Sequence, residues 1–228
     1  ETKLQSPEIR THFKRDWYLF RNPTMTWVLD EATGNWEMKP RPAGGCDIYV
    51  RITFAHNFQL EHTIVYTGYV HYVTFRPMAY INVARPYFTA SFAAMNAYIP
   101  SDGEKAQVLT RLADHSIDAD YILAAGDWNV TTTRADSTTE NCSPKSVVNA
   151  LMDALEAHEL GEVYHPSKTK ISKHTIPHAS RLDKHYITHN ETERKVMVPS
   201  IWLPPHPSEP GRDPSSPTDH FPVVLSFL

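Results

Sequence analysis

The chain has few cysteines and no long apolar run, and each absence excludes a class of protein. Only two of its 228 residues are cysteine, Cys46 and Cys142. This low content excludes a disulfide-built scaffold and predicts two free thiols in a reducing compartment. No apolar run reaches the roughly 18 residues that a membrane-spanning helix requires. We therefore expect neither a disulfide framework nor a membrane partner.

An excess of positive charge is also missing. The net charge is −4 and the isoelectric point is about 6.4. This charge excludes a protein that coats nucleic acids through a generally basic surface. It is compatible with an enzyme that neutralises phosphate groups locally through bound metal ions.

The length and composition predict one packed domain spanning residues 1–228. Hydrophobic residues make up 41% of the chain and aromatic residues 11%, which is enough for a core. The sequence begins with Glu1 rather than methionine, so no targeting signal can be read from its start.

The most informative stretch is an apolar run at residues 121–125 that leads into Gly126, Asp127, Trp128 and Asn129. Alternate side chains of a strand point to the same side, so the sequence predicts that Asp127 and Asn129 face one way and Trp128 the other. Gly126 allows a tight backbone turn at the strand end. The pattern predicts a carboxylate and a carboxamide presented together at the mouth of a sheet.

Periodicity predicts the elements around this stretch. Alternating residues predict strands at 44–52, 62–75, 79–84, 88–100 and 180–188, with a hairpin turn at Thr67-Gly68. Apolar faces predict helices at about 104–115 and 144–160. Ser143 is the predicted N-cap of the second helix, Pro144 its first residue and Gly161 its end. Residues 199–217 are rich in proline and serine and predict a long loop.

Four short motifs follow one another in a fixed order. They are Asn96-Ala97-Tyr98-Ile99-Pro100, Gly126-Asp127-Trp128-Asn129, Ser180-Arg181-Leu182-Asp183 and Thr218-Asp219-His220. Each motif is weak alone, but the ordered set resembles the endonuclease/exonuclease/phosphatase superfamily. Glu1-Thr2-Lys3 resembles the tail of the superfamily's Gln-Glu-Thr motif, whose glutamate is a metal ligand. The resemblance therefore implies an N-terminally truncated domain that lacks the first strands of the fold.

The same resemblance implies a four-layer α/β sandwich, in which two mixed sheets pack face to face with helices outside. It assigns catalytic roles to Asp127, Asn129, Asp183, His220 and Tyr98. It assigns metal binding to Glu1 and Asp219, and substrate binding to Asn96 and Arg181.

These residue types suit phosphodiester hydrolysis. Carboxylates are hard oxygen ligands for Mg²⁺ or Mn²⁺. In the implied mechanism Asp127 positions or deprotonates the water and Asn129 holds phosphate or water. Asp183 fixes the tautomer of His220, which then donates a proton or hydrogen bond to the phosphate. The Tyr98 phenol donates to a phosphate oxygen without adding charge.

Gly-Asp-Trp-Asn, the turn Tyr164-His165-Pro166 and Ser-Arg-Leu-Asp most resemble the apurinic-type endonuclease domains of non-LTR retrotransposons. Such domains nick DNA at a target site to prime reverse transcription. The resemblance implies a metal-dependent DNA-nicking enzyme that is intracellular and nuclear, with DNA rather than RNA as its partner.

Departures from the family pattern favour a different class of function. Gly68-Tyr69 stands where the family often has Gly-Arg, and Lys173-His174-Thr175 replaces an aromatic strand. The loop after Asn129 carries Arg134-Ala135-Asp136, which reverses the Asp-Arg order of many retrotransposon relatives, so it receives no role. The alternative is a catalytically silent remnant of the fold, acting as a binding or scaffold subunit. A protein partner would then cover an open sheet edge.

Two histidine pairs have the i,i+4 spacing that a helical zinc site uses, namely His174 with His178 and His185 with His189. Pro177 interrupts the first pair, and the second lies on a predicted strand. No cysteine pair accompanies either one, so structural zinc is not predicted.

Overall fold

The computed structural model describes residues 16–40, 45–78, 90–101, 103–139, 142–164, 170–171, 179–188, 199–202 and 224–227. The predicted site residues Glu1, Asp219 and His220 lie outside these ranges, as does the predicted strand at 79–84.

Strands dominate the described residues. They are Trp17–Asn22 (β1), Met25–Leu29 (β2), Trp36–Pro40 (β3), Cys46–Arg51 (β4), Phe58–Tyr66 (β5), Val70–Pro77 (β6), Phe92–Tyr98 (β7), Tyr121–Asp127 (β8), Leu160–Val163 (β9), Lys170–Ile171 (β10), Ala179–Ser180 (β11), Asp183–Thr188 (β12), Pro199–Trp202 (β13) and Val224–Phe227 (β14). The α-helices are Ile52–Ala55 (α1), Lys105–Ala113 (α2) and Lys145–Ala157 (α3), and Arg134–Asp136 is a 3-10 helix.

Six strands form the main sheet in the order β5-β6-β7-β8-β12-β9. The strands β5, β6 and β7 pair antiparallel, and so do β8, β12 and β9. Tyr121 N–H donates to Ser91 O, and Ile99 N–H donates to Asp127 O. Residue numbers increase in the same direction along both strands from the first bond to the second, so β7 and β8 are parallel. Helix α2 lies in the crossover connection between them. The sheet is therefore mixed, as expected of an α/β sandwich.

The chain divides into two compact units. The first comprises Glu1–Tyr98 with His115–Ile122, and the second comprises Ile99–Asp114 with Leu123–Leu228. The prediction of a single domain remains a prediction.

Two sheets pack face to face in the first unit. The β1–β4 pair contributes Val50 to a buried cluster that also contains Phe58, Val73 and Phe75. The ring of Phe75 stacks on that of Phe92 with centroids 4.4 Å apart, and Phe58 meets Phe75 edge-on at 5.7 Å. Each buried side chain of this size contributes about 1.5–3 kcal/mol through removal of apolar surface from water.

The hairpin predicted about Thr67-Gly68 is confirmed as β5 and β6. Gly68 has φ +81°, and a Cβ at this position would lie 2.6 Å from the Thr24 methyl carbon. Its N–H donates to the buried Asn22 side chain at 2.7 Å. Only glycine satisfies both the backbone conformation and the close approach.

Both long helices belong to the second unit and pack on each other. Their buried positions are Val108, Leu109 and Leu112 on α2, and Leu151, Ala154 and Leu155 on α3. The predicted apolar faces are therefore confirmed. None of the helices in the described ranges is long and apolar enough to cross a membrane.

The predicted ends of α3 are wrong in two details. Pro144 is the N-cap residue, while the hydroxyl of Ser143 accepts a hydrogen bond from Thr131 N–H at 3.0 Å. The helix ends at Ala157, and Gly161 lies inside β9. Glu159, with φ +52°, makes the left-handed turn that glycine was expected to make.

Candidate active site

Strand pairing brings two of the predicted catalytic carboxylates together. In the antiparallel register of β8 and β12, Asp183 lies directly opposite Asp127. Directly opposite residues project from the same face of a sheet with Cβ atoms about 4.5–5.5 Å apart. Like charges in such a pair are unfavourable. Both residues are only half-buried, so this face of the strand pair presents two acidic groups toward its surface.

Asn129 holds the Asp127 carboxylate through both oxygens. Its backbone N–H donates to Oδ1 at 3.0 Å, and its side-chain Nδ2 donates to Oδ2 at 3.0 Å. The same Nδ2 donates to the carbonyl oxygen of Ile99 at 2.8 Å. The carboxylate is therefore fixed in direction.

The predicted strand alternation across Asp127 and Asn129 is wrong. Strand β8 ends at Asp127, and Asn129 adopts the left-handed conformation with φ +46°. Asparagine tolerates this conformation better than most residues because its side chain bonds to the local backbone. The two side chains therefore meet through a turn. Gly126, with φ +143°, supplies the backbone freedom that was predicted for it.

Trp128 points away from the carboxylates, as predicted, and is fully buried. Its ring meets Tyr186 edge-on with centroids 4.9 Å apart. Its Nε1–H donates to Lys184 O at 3.2 Å, and its backbone N–H donates to Leu182 O at 3.0 Å. Trp128 thus fastens the end of β8 to the residues on either side of Asp183.

Lys105 is a site residue that the sequence analysis missed. It is the first residue of α2, and its ammonium donates to Asn129 O at 2.8 Å. It places a positive charge next to the residue that holds Asp127. No sequence signal identifies it, because the direction of the Asn129 carbonyl depends on the positive φ at that residue.

Arg181 does not fit its predicted substrate-binding role. The side chain is buried, with 2% of its surface exposed. Its Nε and Nη2 donate to Asp136 Oδ1 at 3.0 and 2.7 Å, and Nη1 donates to Glu162. Its guanidinium also lies over the Tyr164 ring, 4.6 Å from the centroid. These partners engage the charge inside the protein.

Asp136, to which the sequence analysis gave no role, is the centre of this buried cluster. Burial raises the pKa of its carboxyl, but Lys184, the N–H groups of Thr132 and Thr133, and Arg181 lower it more. The resulting pKa lies well below the usual value for aspartate. Asp136 is therefore charged at neutral pH, and it is 1% exposed.

The remaining described candidates lie in the first unit. Tyr98 ends β7, and its ring stacks on Tyr69 with centroids 6.3 Å apart. The side-chain Nδ2 of Asn96 donates to Asp47 O at 2.9 Å. Both side chains are half-buried. Their roles toward a substrate remain predictions.

The described residues do not form a metal site by themselves. Within the described ranges, no group of three or more histidine, cysteine, aspartate or glutamate side chains could hold an ion. The predicted ligands Glu1 and Asp219 lie outside those ranges, so the metal site remains a prediction.

The fold is shared with solved endonucleases and a solved phosphatase, which confirms the predicted fold class. The endonuclease domain of TRAS1, a telomere-specific non-LTR retrotransposon, matches with a TM-score of 0.53 and 14% identity over 96% of this chain and 90% of that chain. An AP endonuclease from Archaeoglobus fulgidus matches with a TM-score of 0.51 and 14% identity over 100% and 85% of the two chains. The 3′ phosphatase NExo from Neisseria, bound to a product DNA hairpin, matches with a TM-score of 0.54 and 11% identity over 99% and 84%.

At the level of sequence, no protein-family model and no curated protein matches the chain.

Proposed function

We propose that the chain is a phosphodiester hydrolase that nicks DNA in the manner of a retrotransposon endonuclease. One observation carries the proposal: Asp127 and Asp183 lie directly opposite each other, while Asn129 holds Asp127 by both oxygens. A like-charge pair lowers the stability of a strand pair, and such arrangements concentrate at sites of chemistry. The fold, whose solved examples include endonucleases and a DNA-bound phosphatase, supports the same conclusion.

Each residue then has a definite task. Asp127, held by Asn129, orients the attacking water and accepts its proton. Asp183 orients His220, whose imidazolium stabilises the charge that develops on the phosphate. Tyr98 and Asn96 are proposed to contact the phosphate. Arg181 is omitted from the substrate contacts because Asp136 and Glu162 engage its guanidinium.

We propose Mg²⁺ or Mn²⁺ as the cofactor, with Glu1 and Asp219 as ligands. A divalent ion neutralises the phosphate oxygens when bound, which suits a chain whose net charge is −4. DNA is the proposed substrate, and the nucleus is the proposed location.

A plasmid-nicking assay tests the function. The chain is incubated with supercoiled DNA in Mg²⁺, in Mn²⁺ and in EDTA, beside the variants Asp127→Asn and Asp153→Asn. We expect nicking in either metal, none in EDTA, and a loss of about 100-fold or more for Asp127→Asn, since positioned acid–base groups contribute about 10²–10⁴-fold. Asp153 is an exposed carboxylate on α3, so its variant controls for loss of charge alone. Full activity of Asp127→Asn would disprove the assigned site.

The alternative function is a catalytically silent binding or scaffold subunit. The β2–β3 hairpin favours it, because one face presents exposed apolar side chains: Trp27, Leu29, Trp36 and Met38. Contiguous exposed apolar surface is typical of interaction sites. A folded wild-type chain that leaves the plasmid intact in both metals would favour this alternative.

A further inference from the structure

We propose that Asp136 is the positioning residue of the site, because its buried carboxylate ties the loop after Asn129 to residues 180–184 and so holds Asp183 opposite Asp127. The expected effect of Asp136 on catalysis rests on the proposed function. Its expected effect on the position of Asp183 opposite Asp127 is independent of that function.

One side of the tie is the loop itself. Asp136 Oδ2 accepts hydrogen bonds from Thr132 N–H at 2.7 Å, from Thr132 Oγ1 at 3.0 Å and from Thr133 N–H at 3.1 Å. These bonds close the loop into a 3-10 turn capped by Thr133. This one carboxylate therefore fixes the loop after Asn129 at Thr132 and Thr133.

The other side of the tie is the segment that carries Asp183. Asp136 Oδ1 accepts from Arg181 Nε and Nη2, and Asp136 O accepts from Arg181 N–H at 2.7 Å. Lys184 Nζ lies 3.3 Å from Oδ2 and is fully buried. An isolated bridge between Ser137 and Ser180 continues the contact. Asp136 thus contacts the residue two before Asp183 and the residue one after it.

This arrangement limits the movement of Asp183. Strand alternation places Lys184 on the face opposite to Asp183, where its ammonium reaches Asp136. A shift of β12 along β8 would move both cations away from the carboxylate. Breaking a buried ion pair by removing one partner is strongly destabilising, so the register is held by charge as well as by backbone bonds.

Glu162 provides a natural comparison within the same cluster. It also pairs with Arg181, but it lies on β9 and its side chain is 25% exposed. Glu162 shares the Arg181 guanidinium with Asp136, but its carboxylate is not one of the acceptors of the loop hydrogen bonds at Thr132 and Thr133. A variant at Glu162 therefore separates loss of a charge partner from loss of positioning.

The test compares Asp136→Asn with Glu162→Gln in plasmid nicking and in amide hydrogen exchange. For Asp136→Asn we expect kcat to fall about 100-fold with KM changed less than about threefold, since misplacement of a catalytic group by about 1 Å has this effect. We also expect exchange at least about tenfold faster at the amides of Trp128 and Arg181. Glu162→Gln should stay within about threefold of wild type in all of these measurements.

Two further variants keep the test decisive. Thr132→Val removes one donor to Asp136 and is used if Asp136→Asn does not fold; a smaller fall in kcat, about fivefold, is expected.

The double variant Asp136→Asn/Lys184→Met also removes the Lys184 cation, which loses its carboxylate partner in Asp136→Asn. It should recover stability but not kcat. Recovery of both would show that Asp136 only compensates charge, and would overturn the positioning role.

The two proposals fail in different ways. If the wild-type chain does not nick DNA, the proposed function is wrong, and the exchange measurement alone decides whether Asp136 holds the register. If the wild type nicks but a folded Asp136→Asn variant retains kcat within threefold, or shows unchanged exchange at Trp128 and Arg181, the positioning role is wrong and the function stands.

Discussion

Each of the two compact units buries a polar cluster, and the two clusters are built on different principles. In the second unit, Asp136, Arg181 and Lys184 are all charged groups that find partners of opposite sign. In the first unit, His62 and His71 share one hydrogen bond of 2.9 Å, and the other ring nitrogen of buried His71 has no partner among the described residues.

The difference shows that buried charged groups and buried neutral groups differ in how strictly they require a hydrogen-bonding or ionic partner. A buried charge without a partner is unfavourable by several kcal/mol, so every charge in the Asp136 cluster is compensated. A neutral imidazole nitrogen left unpaired costs only about 1–3 kcal/mol, which a well-packed sheet can absorb. Burial, and then the charge of His62, lower the pKa of His71 to about 4, which keeps the ring neutral. The Asp136 cluster therefore depends on partners, and the histidine pair depends on remaining uncharged.

The largest effect is expected from breaking the charged cluster. Replacing Asp136 with alanine should lower the free energy of unfolding by about 3–5 kcal/mol, since Arg181 and Lys184 then lose their shared counter-charge. Urea denaturation at pH 7 measures the change. The control Glu162→Gln should stay within about 1 kcal/mol, because that carboxylate is partly exposed. Equal losses in the two variants would contradict the assignment of Asp136 as the centre.

The next largest effect is expected from charging the histidine pair. The pKa of His71 is about 4 in the folded chain, against 6.5 for an ordinary histidine. Between these values the unfolded chain binds the proton and the folded chain does not, so stability falls as the pH is lowered from about 6.5 to about 4. The loss from His71 alone amounts to about 3 kcal/mol. Urea denaturation at pH 7, 6, 5 and 4.5 gives the profile.

Asp136 acts in a different pH window. Its pKa is lowered in the folded state, so its contribution is present above the ordinary aspartate pKa of 3.8 and is lost only at more acidic pH. A profile that is flat from pH 7 to 4.5 would show that His71 is not buried as a neutral ring.

A smaller effect is expected when the histidine is replaced by an apolar group. His71→Leu removes the hydrogen bond to His62 and also removes the unpaired buried nitrogen. These contributions have opposite signs and similar size, so stability at pH 7 should change by about 1 kcal/mol or less. The steep part of the pH profile should disappear in the same variant. Persistence of the slope would place its origin in another group.

The smallest effect is expected in the chemical modification of the two cysteines. One of them, Cys46, contacts Asn96, which lies directly opposite His71 in the pairing of β6 with β7. Cys46 Sγ lies 3.8 Å from Asn96 O and is buried, while Cys142 is exposed. Burial raises the pKa of Cys46 to about 12 against the smaller opposing effect of Asn22. A thiol reagent at pH 8 should therefore modify one thiol in the native chain and two after denaturation. Rapid modification of both native thiols would contradict this packing.

The sequence predicted those features that depend on local pattern alone. The strand before Asp127, the hairpin at Gly68 and the apolar faces of α2 and α3 each follow from a few neighbouring residues, and each is confirmed. The fold class followed from the order of the motifs. It needed their resemblance to known proteins, because periodicity does not specify how strands are layered.

Other features depend on contacts between distant segments. The exact pairing of Asp127 with Asp183 is a matter of register between strands far apart in sequence. The burial of Arg181 could not be predicted, because the sequence does not distinguish an arginine that binds substrate from one that pairs with buried carboxylates. The positive φ of Asn129 accompanies its bonds to Asp127 and Ile99, and the contact with Lys105 belongs to that same turn.

The register of β12 also constrains how this chain can change in evolution. Because side chains alternate along a strand, loss or gain of a single residue between Leu182 and Lys184 would exchange the two faces. Loss of one residue would bring the Lys184 ammonium opposite Asp127, whereas gain of one residue before Asp183 would bring the Asp183 carboxylate into the buried place beside Asp136. Length changes at this point therefore disturb the separation of the acidic and basic faces, whereas substitutions leave the register of β12 with β8 unchanged.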